Sequence, residues 1–167
     1  MSSARTASRM HLGLGSNLGD RMRALERALD AIGRLPTTSV TRRSRVYETL
    51  PEGVADQPLF LNMVAEIETA LAPLELLEAA KRIERAMGRR PGLRWGPRVI
   101  DIDLILWGPR IVREPALDIP HRAFRERAFV LAPLAEIAGD AVDPVTGRTV
   151  ADLAAATPFE GRVALRP

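Results

Sequence analysis

The sequence predicts an α+β fold in which the element order is β-α-β-β-α-β. Three observations lead to this prediction. Two segments repeat apolar residues at steps of three and four, as the buried face of a helix does. Segments rich in β-branched and aliphatic residues stand before, between and after them, and Gly and Pro bound most of these segments. Finally, the chain has 167 residues, which is enough for one domain with a sizeable core and too short for two ordinary domains.

The first half of this order contains one helix between strands. We predict a first strand over 11–14, followed by a glycine-rich turn in which Asp20 caps a helix over 20–35. The buried stripe of this helix consists of Met22, Leu25, Leu29 and Ile32. An exposed second strand (39–47) and a third strand (59–68) complete this half.

The second half contains the other helix and a fourth strand. The helix begins after Pro73 and stops at Gly88, and its buried stripe consists of Leu76, Ala80, Ile83 and Met87. An arginine-rich loop follows. The run 99–107 is a strand, because it is too short and too rich in Ile and Val for a helix. The completed order is that of a ferredoxin-like fold, in which helices pack on an antiparallel sheet.

Beyond this unit we predict a short hairpin and further helices. The hairpin covers 110–117, a helical segment over 128–138 is broken by Pro133, and a short helix covers 150–156. In this interpretation the polar residues 1–8 form a disordered tail, and residues 9–167 form a single domain.

Composition excludes several classes of protein. The chain has no Cys, which rules out disulfides, zinc-thiolate sites and thiol nucleophiles. No run approaches the roughly 20 apolar residues of a membrane span, and the start lacks the apolar segment of a signal peptide. With 46% hydrophobic and 27% charged residues, the composition is that of a soluble globular protein. The absence of Cys is compatible with the cytoplasm, where we expect the protein, with no membrane or nucleic-acid partner.

Two acids in the predicted strand 99–107 indicate a metal site. Side chains alternate along a strand, so Asp101 and Asp103 point to one face, about 6 to 7 Å apart at the backbone. The opposite face receives the apolar residues Ile100, Ile102, Leu104 and Leu106. Like charges so placed repel each other without a cation, and Mg²⁺ is commonly held by one or two carboxylates with water and phosphate oxygens. The alternative is a half-exposed sheet with solvated aspartates, which the rarity of Asp in strands disfavours.

Four arginines crowd the approach to these acids. They are Arg89, Arg90, Arg94 and Arg98. Guanidinium groups fit phosphate oxygens bidentately, so an acid pair beside an arginine-rich loop indicates a polyphosphate substrate. The alternative is a coding bias toward Arg, since Lys81 is the only lysine among 24 basic residues.

Two other features are less specific. The glycines of the first turn fit neither G-x-G-x-x-G nor G-x-x-x-x-G-K-[ST], so neither dinucleotide nor P-loop binding is supported. His121 stands among Arg122, Arg125 and Arg127, where it is either structural or assists phosphate binding. His11, at the start of an apolar strand, is interpreted as structural.

Seven blocks of the sequence occur in one order and together resemble a known family. They are GLGSNLGD (13–20), YETLPEG (47–53), DQPLFLN (56–62), RIE (82–84), RWGPRVIDIDLIL (94–106), IPH (119–121) and RAFVLAPLAEIA (127–138). They cover roughly residues 13–138, and the RWGPR and IDIDLIL pair is the most specific. The chain resembles the 6-hydroxymethyl-7,8-dihydropterin pyrophosphokinases of the folate pathway.

This resemblance implies a reaction and its catalytic groups. Members of the family transfer an intact pyrophosphoryl group from ATP to the hydroxymethyl oxygen of the pterin and release AMP. Asp101 and Asp103 match the metal ligands, which implies two Mg²⁺ ions, and Arg89 and Arg98 match the catalytic arginines. Such a transfer depends on positioning and charge neutralisation more than on a nucleophilic side chain, and none is apparent in these motifs.

The resemblance also implies two sets of binding residues. Those for the pterin are Thr49, Leu50, Glu52, Phe60, Asn62 and Phe129, of which the two phenylalanines sandwich the ring. Those for ATP are Glu84, Trp95, Arg98, His121 and Arg127. The chain departs from the family pattern in the loop 88–95, which is about one residue shorter, and in Arg122, which stands where an aromatic residue is common.

Two other functions share parts of the pattern. Ferredoxin-like sheets with exposed aromatics bind single-stranded RNA, but aromatic residues make up only 4% of this chain. A nucleotidyltransferase uses a similar acid pair and would release pyrophosphate rather than AMP. We predict instead a monomeric, Mg²⁺-dependent pyrophosphokinase whose substrates are ATP and a dihydropterin.

Overall fold

The computed structural model describes residues 5–51, 56–92 and 96–165, with the backbone alone for 163–165. Its elements, in chain order, are β1 (Ser8–Ser16), α1 (Arg21–Gly33), β2 (Thr38–Arg43), β3 (Val46–Thr49), β4 (Phe60–Thr69), α2 (Pro73–Ala86), β5 (Asp101–Leu106), β6 (Val112–Glu114), β7 (Leu117–Ile119), α3 (Ala128–Ala138), α4 (Val150–Ala156) and β8 (Arg162–Leu165). A 3₁₀ turn, Phe124–Glu126, precedes α3.

Six strands form one antiparallel sheet. The order is β5-β1-β4-β3-β8, and β2 pairs with β4 beside β3. β1 and β3 therefore run parallel with β4 between them, and β4 and β5 run parallel with β1 between them. These are the two split βαβ units of a ferredoxin-like fold. The predicted fold class is confirmed.

The predicted second strand (39–47) consists of two strands, β2 and β3, along the same side of β4. Ser44 lies between them. Its N–H donates to Val64 O at 2.9 Å, and its hydroxyl oxygen accepts from the Val64 N–H at 3.0 Å. Because the hydroxyl replaces a main-chain acceptor, hydrogen bonding to β4 continues across the break. β8, which the sequence did not predict, pairs with β3.

Helices cover both faces of the sheet. α1 and α2 pack over one face, and the largest fully buried residues of this core include Met10, Leu12, Leu14, Leu25, Ile32, Met63, Ile67, Leu76, Ile100 and Ile102. α3 and α4 pack over the other face against Val64, Ile105 and Phe124. The acids of β5 belong to this second face, where they stay half-buried.

Local capping signals predicted the helix ends well. Asp20 caps α1 by accepting from the Arg23 N–H at 3.1 Å, and Pro73 is the first residue of α2. α4 lies where the short helix was predicted, whereas the hairpin begins two residues later, at Val112. None of the described helices is both long and apolar enough to cross a bilayer.

The expectation that Pro133 breaks the third helix is wrong. α3 runs without interruption from Ala128 to Ala138. A proline inside a helix removes one main-chain hydrogen bond. Pro133 is buried beside Val130 and Leu134, and this apolar packing offsets the lost bond.

β5 follows the predicted alternation only as far as Ile105. Ile102 and Leu104 lie in the core under α1 and α2, as expected. The register against β1 then shifts, because residue 12 pairs with Leu104 whereas residue 11 pairs with Leu106. The extra residue is a β-bulge, and Leu106 joins the core of the other face with Ile105. The expectation that Leu106 shares a face with Ile102 is therefore wrong.

β1 begins at Ser8, the last residue of the predicted tail. The Ser8 hydroxyl accepts a hydrogen bond from Trp107 Nε1 at 2.7 Å. Arg5 forms an ion pair with Glu75 of α2 at 2.8 Å. Both contacts attach the start of the described chain to the ferredoxin-like unit.

Candidate active site

One cleft on the second face of the sheet collects most of the predicted site residues. Those that line it are Thr49, Leu50, Phe60, Asn62, Arg98, Asp101, Asp103, Arg127 and Phe129. Its empty volume is about 650 Å³, including the solvent-filled mouth. The residues come from β3, β4, β5, α3 and the segments next to them. The tertiary fold, rather than spacing along the chain, brings them together.

Asp101 and Asp103 lie next to two glycines of the neighbouring strand. Asp101 pairs with Gly15 of β1 and Asp103 pairs with Gly13, and both glycines line the cleft. Since glycine has no side chain, the space beside the two carboxylates stays open. The predicted placement of both acids on one face is observed.

Charges around the two acids are unequal. Asp101 accepts hydrogen bonds from Arg89 Nη1 at 2.7 Å and from Arg98 Nη1 at 3.0 Å. Burial and the negative charge of Asp101 raise the pKa of Asp103 to about 7, although the positive charge of Arg127 opposes the rise. The second carboxylate is therefore poorly stabilised as an anion by the protein alone, and a bound cation would relieve this.

Glu84 anchors one of the arginines. Its side chain is 3% exposed, and its two oxygens accept from the Ile102 N–H at 2.9 Å and from Arg89 Nη1 at 2.7 Å. Burial raises the pKa of Glu84, while the bond from the Ile102 N–H and the charge of Arg89 work against the rise. Glu84 thus joins the end of α2 to β5 and directs Arg89 toward Asp101.

A second, basic groove adjoins the cleft. Its empty volume is about 850 Å³, including the open mouth, and it is lined by Lys81, Glu84, Arg85, Arg89, Arg90, Pro91, Gly92, Pro97 and Arg98. Arg98 lines both depressions, next to Asp101. A ligand with several phosphates that extends from one depression to the other would meet the acids and the arginines together.

The other part of the cleft is aromatic and polar. Phe60 of β4 and Phe129 of α3 line it, and both are half-buried. Asn62 Nδ2 donates to Thr49 Oγ1 at 2.7 Å. A Cβ at Gly15 would lie 2.6 Å from Asn62 Oδ1, so a larger residue at this position would displace the Asn62 side chain. Two aromatic rings with an amide and a hydroxyl suit a planar heterocycle with polar edges.

The segment between β7 and α3 carries His121 and Arg127. The main-chain N–H of His121 donates to Ile105 O at 2.9 Å, and its ring Nδ1 accepts from the Ala123 N–H at 3.2 Å. Burial, followed by the positive charge of Arg127, lowers the pKa of His121 and favours the neutral ring. Arg127 lines the cleft, and its guanidinium carbon lies over the Phe129 ring, 5.7 Å from the ring centroid.

Four other residues singled out in the sequence either lie outside the described residues or lie at the surface. Glu52, Arg94 and Trp95 lie outside the described residues. Arg122 forms an ion pair with Asp118 at 2.7 Å, and its side chain is 81% exposed. This arginine is accordingly engaged at the surface.

Asn17 connects two parts of the site, and motif analysis missed it. It lies after β1 with 1% exposure. Its Nδ2 donates to Gln57 Oε1 at 2.9 Å and to Pro58 O at 3.0 Å, and its Oδ1 accepts from the Arg98 N–H at 2.7 Å. One side chain joins the segment before Phe60 to the segment that carries Arg98. The sequence signal for Asn17 was a carboxamide residue directly after a strand. Such a residue is also common in a turn that opens a helix, so the signal did not point to the site.

The donor set of the cleft fits a hard divalent cation that is shared with a phosphate ligand. Across 5–51, 56–92 and 96–165, no group of three or more His, Cys, Asp or Glu side chains is placed to hold a metal ion. Asp101 and Asp103 offer carboxylate oxygens, and Mg²⁺ commonly takes its remaining ligands from water and substrate phosphates.

A family model and several known proteins with similar sequences carry pyrophosphokinase descriptions. A family model described as 7,8-dihydro-6-hydroxymethylpterin-pyrophosphokinase (HPPK) matches residues 11–139. The 2-amino-4-hydroxy-6-hydroxymethyldihydropteridine pyrophosphokinase of Pseudomonas aeruginosa is 47% identical over 153 residues, which cover 92% of this chain and 94% of that protein. The Bacillus subtilis protein of the same name is 46% identical over 127 residues, or 76% of each chain.

Solved structures share the fold at lower identity. Wild-type HPPK-DHPS of Plasmodium falciparum with pteroate matches with a TM-score of 0.73 and 16% identity, covering 93% of this chain. The match covers 43% of that longer chain, so this chain spans less than half of it.

Proposed function

This chain belongs to the 7,8-dihydro-6-hydroxymethylpterin-pyrophosphokinase family, and we propose that its residues carry out the reaction as follows. As an ATP-dependent diphosphokinase, the enzyme transfers a pyrophosphoryl group from ATP to the hydroxymethyl group of the dihydropterin, in folate biosynthesis. One observation carries the assignment: the family match over residues 11–139 contains every residue that we place in the site.

In this proposal Asp101 and Asp103 hold two Mg²⁺ ions together with the phosphates of ATP. Bound Mg²⁺ supplies neutralisation of phosphate charge and a lower pKa for the attacking hydroxyl. The open space beside Gly13 and Gly15, and the raised pKa of Asp103, support the placement.

Arg89 and Arg98 are the catalytic cations. Both guanidinium groups donate to Asp101. Phosphate oxygens offer the same anionic acceptor chemistry, so the arginines can exchange one partner for the other. We infer that they turn to the transferred phosphates, while Glu84 keeps Arg89 in place. Fixed positive charge of this kind stabilises a phosphoryl-type transition state without a nucleophilic side chain.

The pterin occupies the aromatic part of the cleft. Phe60 and Phe129 flank the ring, and Asn62 and Thr49 contact its polar edge with the main chain of Leu50. The lining of the cleft and the 2.7 Å bond between Asn62 and Thr49 support this arrangement. Glu52 remains a predicted contact on the basis of the sequence.

ATP occupies the arginine side. Arg127, directly before α3, contacts the phosphates, and the neutral ring of His121 and the carboxylate of Glu84 complete the surroundings. Support comes from the position of Arg127 in the cleft and from the lowered pKa of His121. Trp95 remains a predicted ATP contact.

We further propose a monomer in the cytoplasm, with residues 9–167 as a single catalytic domain. The continuous sheet and the absence of Cys support this. Light scattering after size-exclusion chromatography should give a mass near 18.3 kDa. Twice that mass would contradict the monomer.

Phosphorus NMR tests the reaction directly. The protein is incubated with ATP, Mg²⁺ and 6-hydroxymethyl-7,8-dihydropterin, and the expected products are AMP and a pterin diphosphate. Inorganic pyrophosphate or ADP in place of AMP would contradict the proposed transfer.

A further inference from the structure

We infer that Arg21 and Glu48 form a clamp on the face of the sheet opposite the cleft. The clamp holds both ends of the connection between β3 and β4 and thereby sets the affinity for the pterin. We call this pair the Arg21 clamp. The inference rests on the proposed pterin position, because that connection begins at Thr49 and ends at Phe60.

Arg21, the first residue of α1, contacts both ends of the connection with one guanidinium group. Its Nη1 donates to Leu59 O at 2.8 Å, directly before Phe60. Its Nη2 donates to Glu48 Oε2 at 3.2 Å, directly before Thr49. The fork geometry of arginine allows two acceptors to be held at a fixed separation, whereas lysine presents a single point charge.

Glu48 is placed to transmit this contact. All four residues of β3 are buried, and Glu48 is only 8% exposed. Alternation along the strand puts Glu48 on the face of α1 and Thr49 on the face of the cleft. A buried carboxylate requires cationic partners, and Glu48 has two, since Arg162 Nε at the start of β8 also donates to it at 2.8 Å.

The residues held by the clamp are neighbours of the proposed pterin contacts. Thr49 and Phe60 pair directly across β3 and β4, and Asn62 donates to Thr49. The clamp lies on the opposite face and does not touch the cleft, so Arg21 is a positioning residue. If the two strand ends separate, Thr49 and Phe60 lose their relative position before the ligand binds, and binding must restore it.

The experiment compares Arg21→Met with the wild-type enzyme. Two dissociation constants are measured by fluorescence titration: one for 6-hydroxymethylpterin, and one for an unreactive methylene analogue of ATP with Mg²⁺. We expect the pterin constant to rise by about tenfold, as loss of a charge-assisted hydrogen bond predicts. The nucleotide constant should change by less than about twofold, since neither Arg21 nor Glu48 lines the basic groove. Arg27→Met, an exposed arginine on the same helix, should change neither constant.

Three further variants separate the contributions to the clamp. Arg21→Lys keeps the charge but loses the fork, and should recover only part of the pterin affinity. Arg162→Met leaves the Arg21 contacts in place, and should therefore weaken pterin binding less than Arg21→Met. The double variant combines Arg21→Met with Glu48→Gln. Its dissociation constant for the pterin should be at most about twofold higher than that of the weaker-binding single variant, because the two substitutions remove the same contact.

The outcomes distinguish the clamp from the proposed function. Phe129→Ala is measured in parallel as the test of the pterin position. If Phe129→Ala weakens pterin binding and Arg21→Met does not, the clamp is overturned while the function stands. A lower melting temperature for Arg21→Met with unchanged pterin affinity also overturns it, because the residue is then only structural. If Phe129→Ala leaves pterin affinity unchanged, the pterin position fails and the clamp fails with it.

Discussion

Replacement of Asn17 by alanine should damage both stability and turnover. Asn17 is 1% exposed, and its side chain makes three hydrogen bonds. The variant leaves the Arg98 N–H and the Pro58 carbonyl without that partner. Each buried polar group that loses its hydrogen bond costs about 1 to 3 kcal/mol, so the loss of two should lower the free energy of unfolding by about 2 to 6 kcal/mol. For a chain of this size each kcal/mol lowers the melting temperature by roughly 2 to 4 °C, so the melting temperature should fall by roughly 4 to 24 °C.

The same change should loosen the segment that carries Arg98. We expect kcat to fall by about tenfold or more, because small displacements of a charge-stabilising group have large effects on rate. Urea unfolding measures the stability, and AMP release measures kcat. Asn17→Asp keeps an acceptor for the Arg98 N–H, so it should retain more activity than the alanine variant. Ser39→Ala, at an exposed position on β2, serves as the control. A stability loss below about 0.5 kcal/mol for Asn17→Ala, the range of surface substitutions, would contradict a structural role for these hydrogen bonds.

Three other predictions concern single groups. Asp103→Asn should reduce turnover at least about 100-fold while the free energy of unfolding stays equal or rises, since burial and Asp101 disfavour the charged form; a stability loss in urea would contradict this. Phe129→Ala should raise the KM for the pterin more than the KM for ATP, and an effect confined to ATP would remove its stacking role. Burial raises the pKa of Asp143, but bonds from Arg125, Thr146 and the Val145 N–H outweigh it and lower that pKa to about 2. The unfolded chain then binds more protons below pH 4, so wild-type stability should fall by about 2 kcal/mol from pH 6 to pH 2 through this group. In urea titrations the stability of Asp143→Asn should fall by about 2 kcal/mol less than that of the wild type between pH 6 and pH 2. An equal pH dependence of stability in the two proteins would exclude the Arg125–Asp143 pair as the cause.

Local signals in the sequence predicted most of the fold. The three- and four-residue steps of α1 and α2 are properties of adjacent turns, and Asp20 and Pro73 act within their own helix ends. The period of two placed Asp101 and Asp103 on one face before any packing was known. Each of these features depends on a few neighbouring residues, which is why the sequence pattern predicts it.

The failures occur where distant contacts override a local preference. Pro133 stays inside α3 because that helix is packed on the sheet, and Leu106 changes face because β5 has to match the register of β1. Ser44 divides one predicted strand into two by bonding to Val64 of another strand. None of these partners can be read from the residues next to it.

Periodicity and motifs along the chain predicted the β-α-β-β-α-β order, the acid pair on one strand face and the family. Which side chains support that chemistry depends on tertiary contacts. Asn17 bonds to the main chain of Arg98, 81 positions away, and Arg21 bonds to Glu48, 27 positions away. The physical reason is that a hydrogen bond depends on distances of about 3 Å between specific atoms, and the packing of the whole sheet sets those distances. Periodicity along the chain encodes only the face on which each side chain lies.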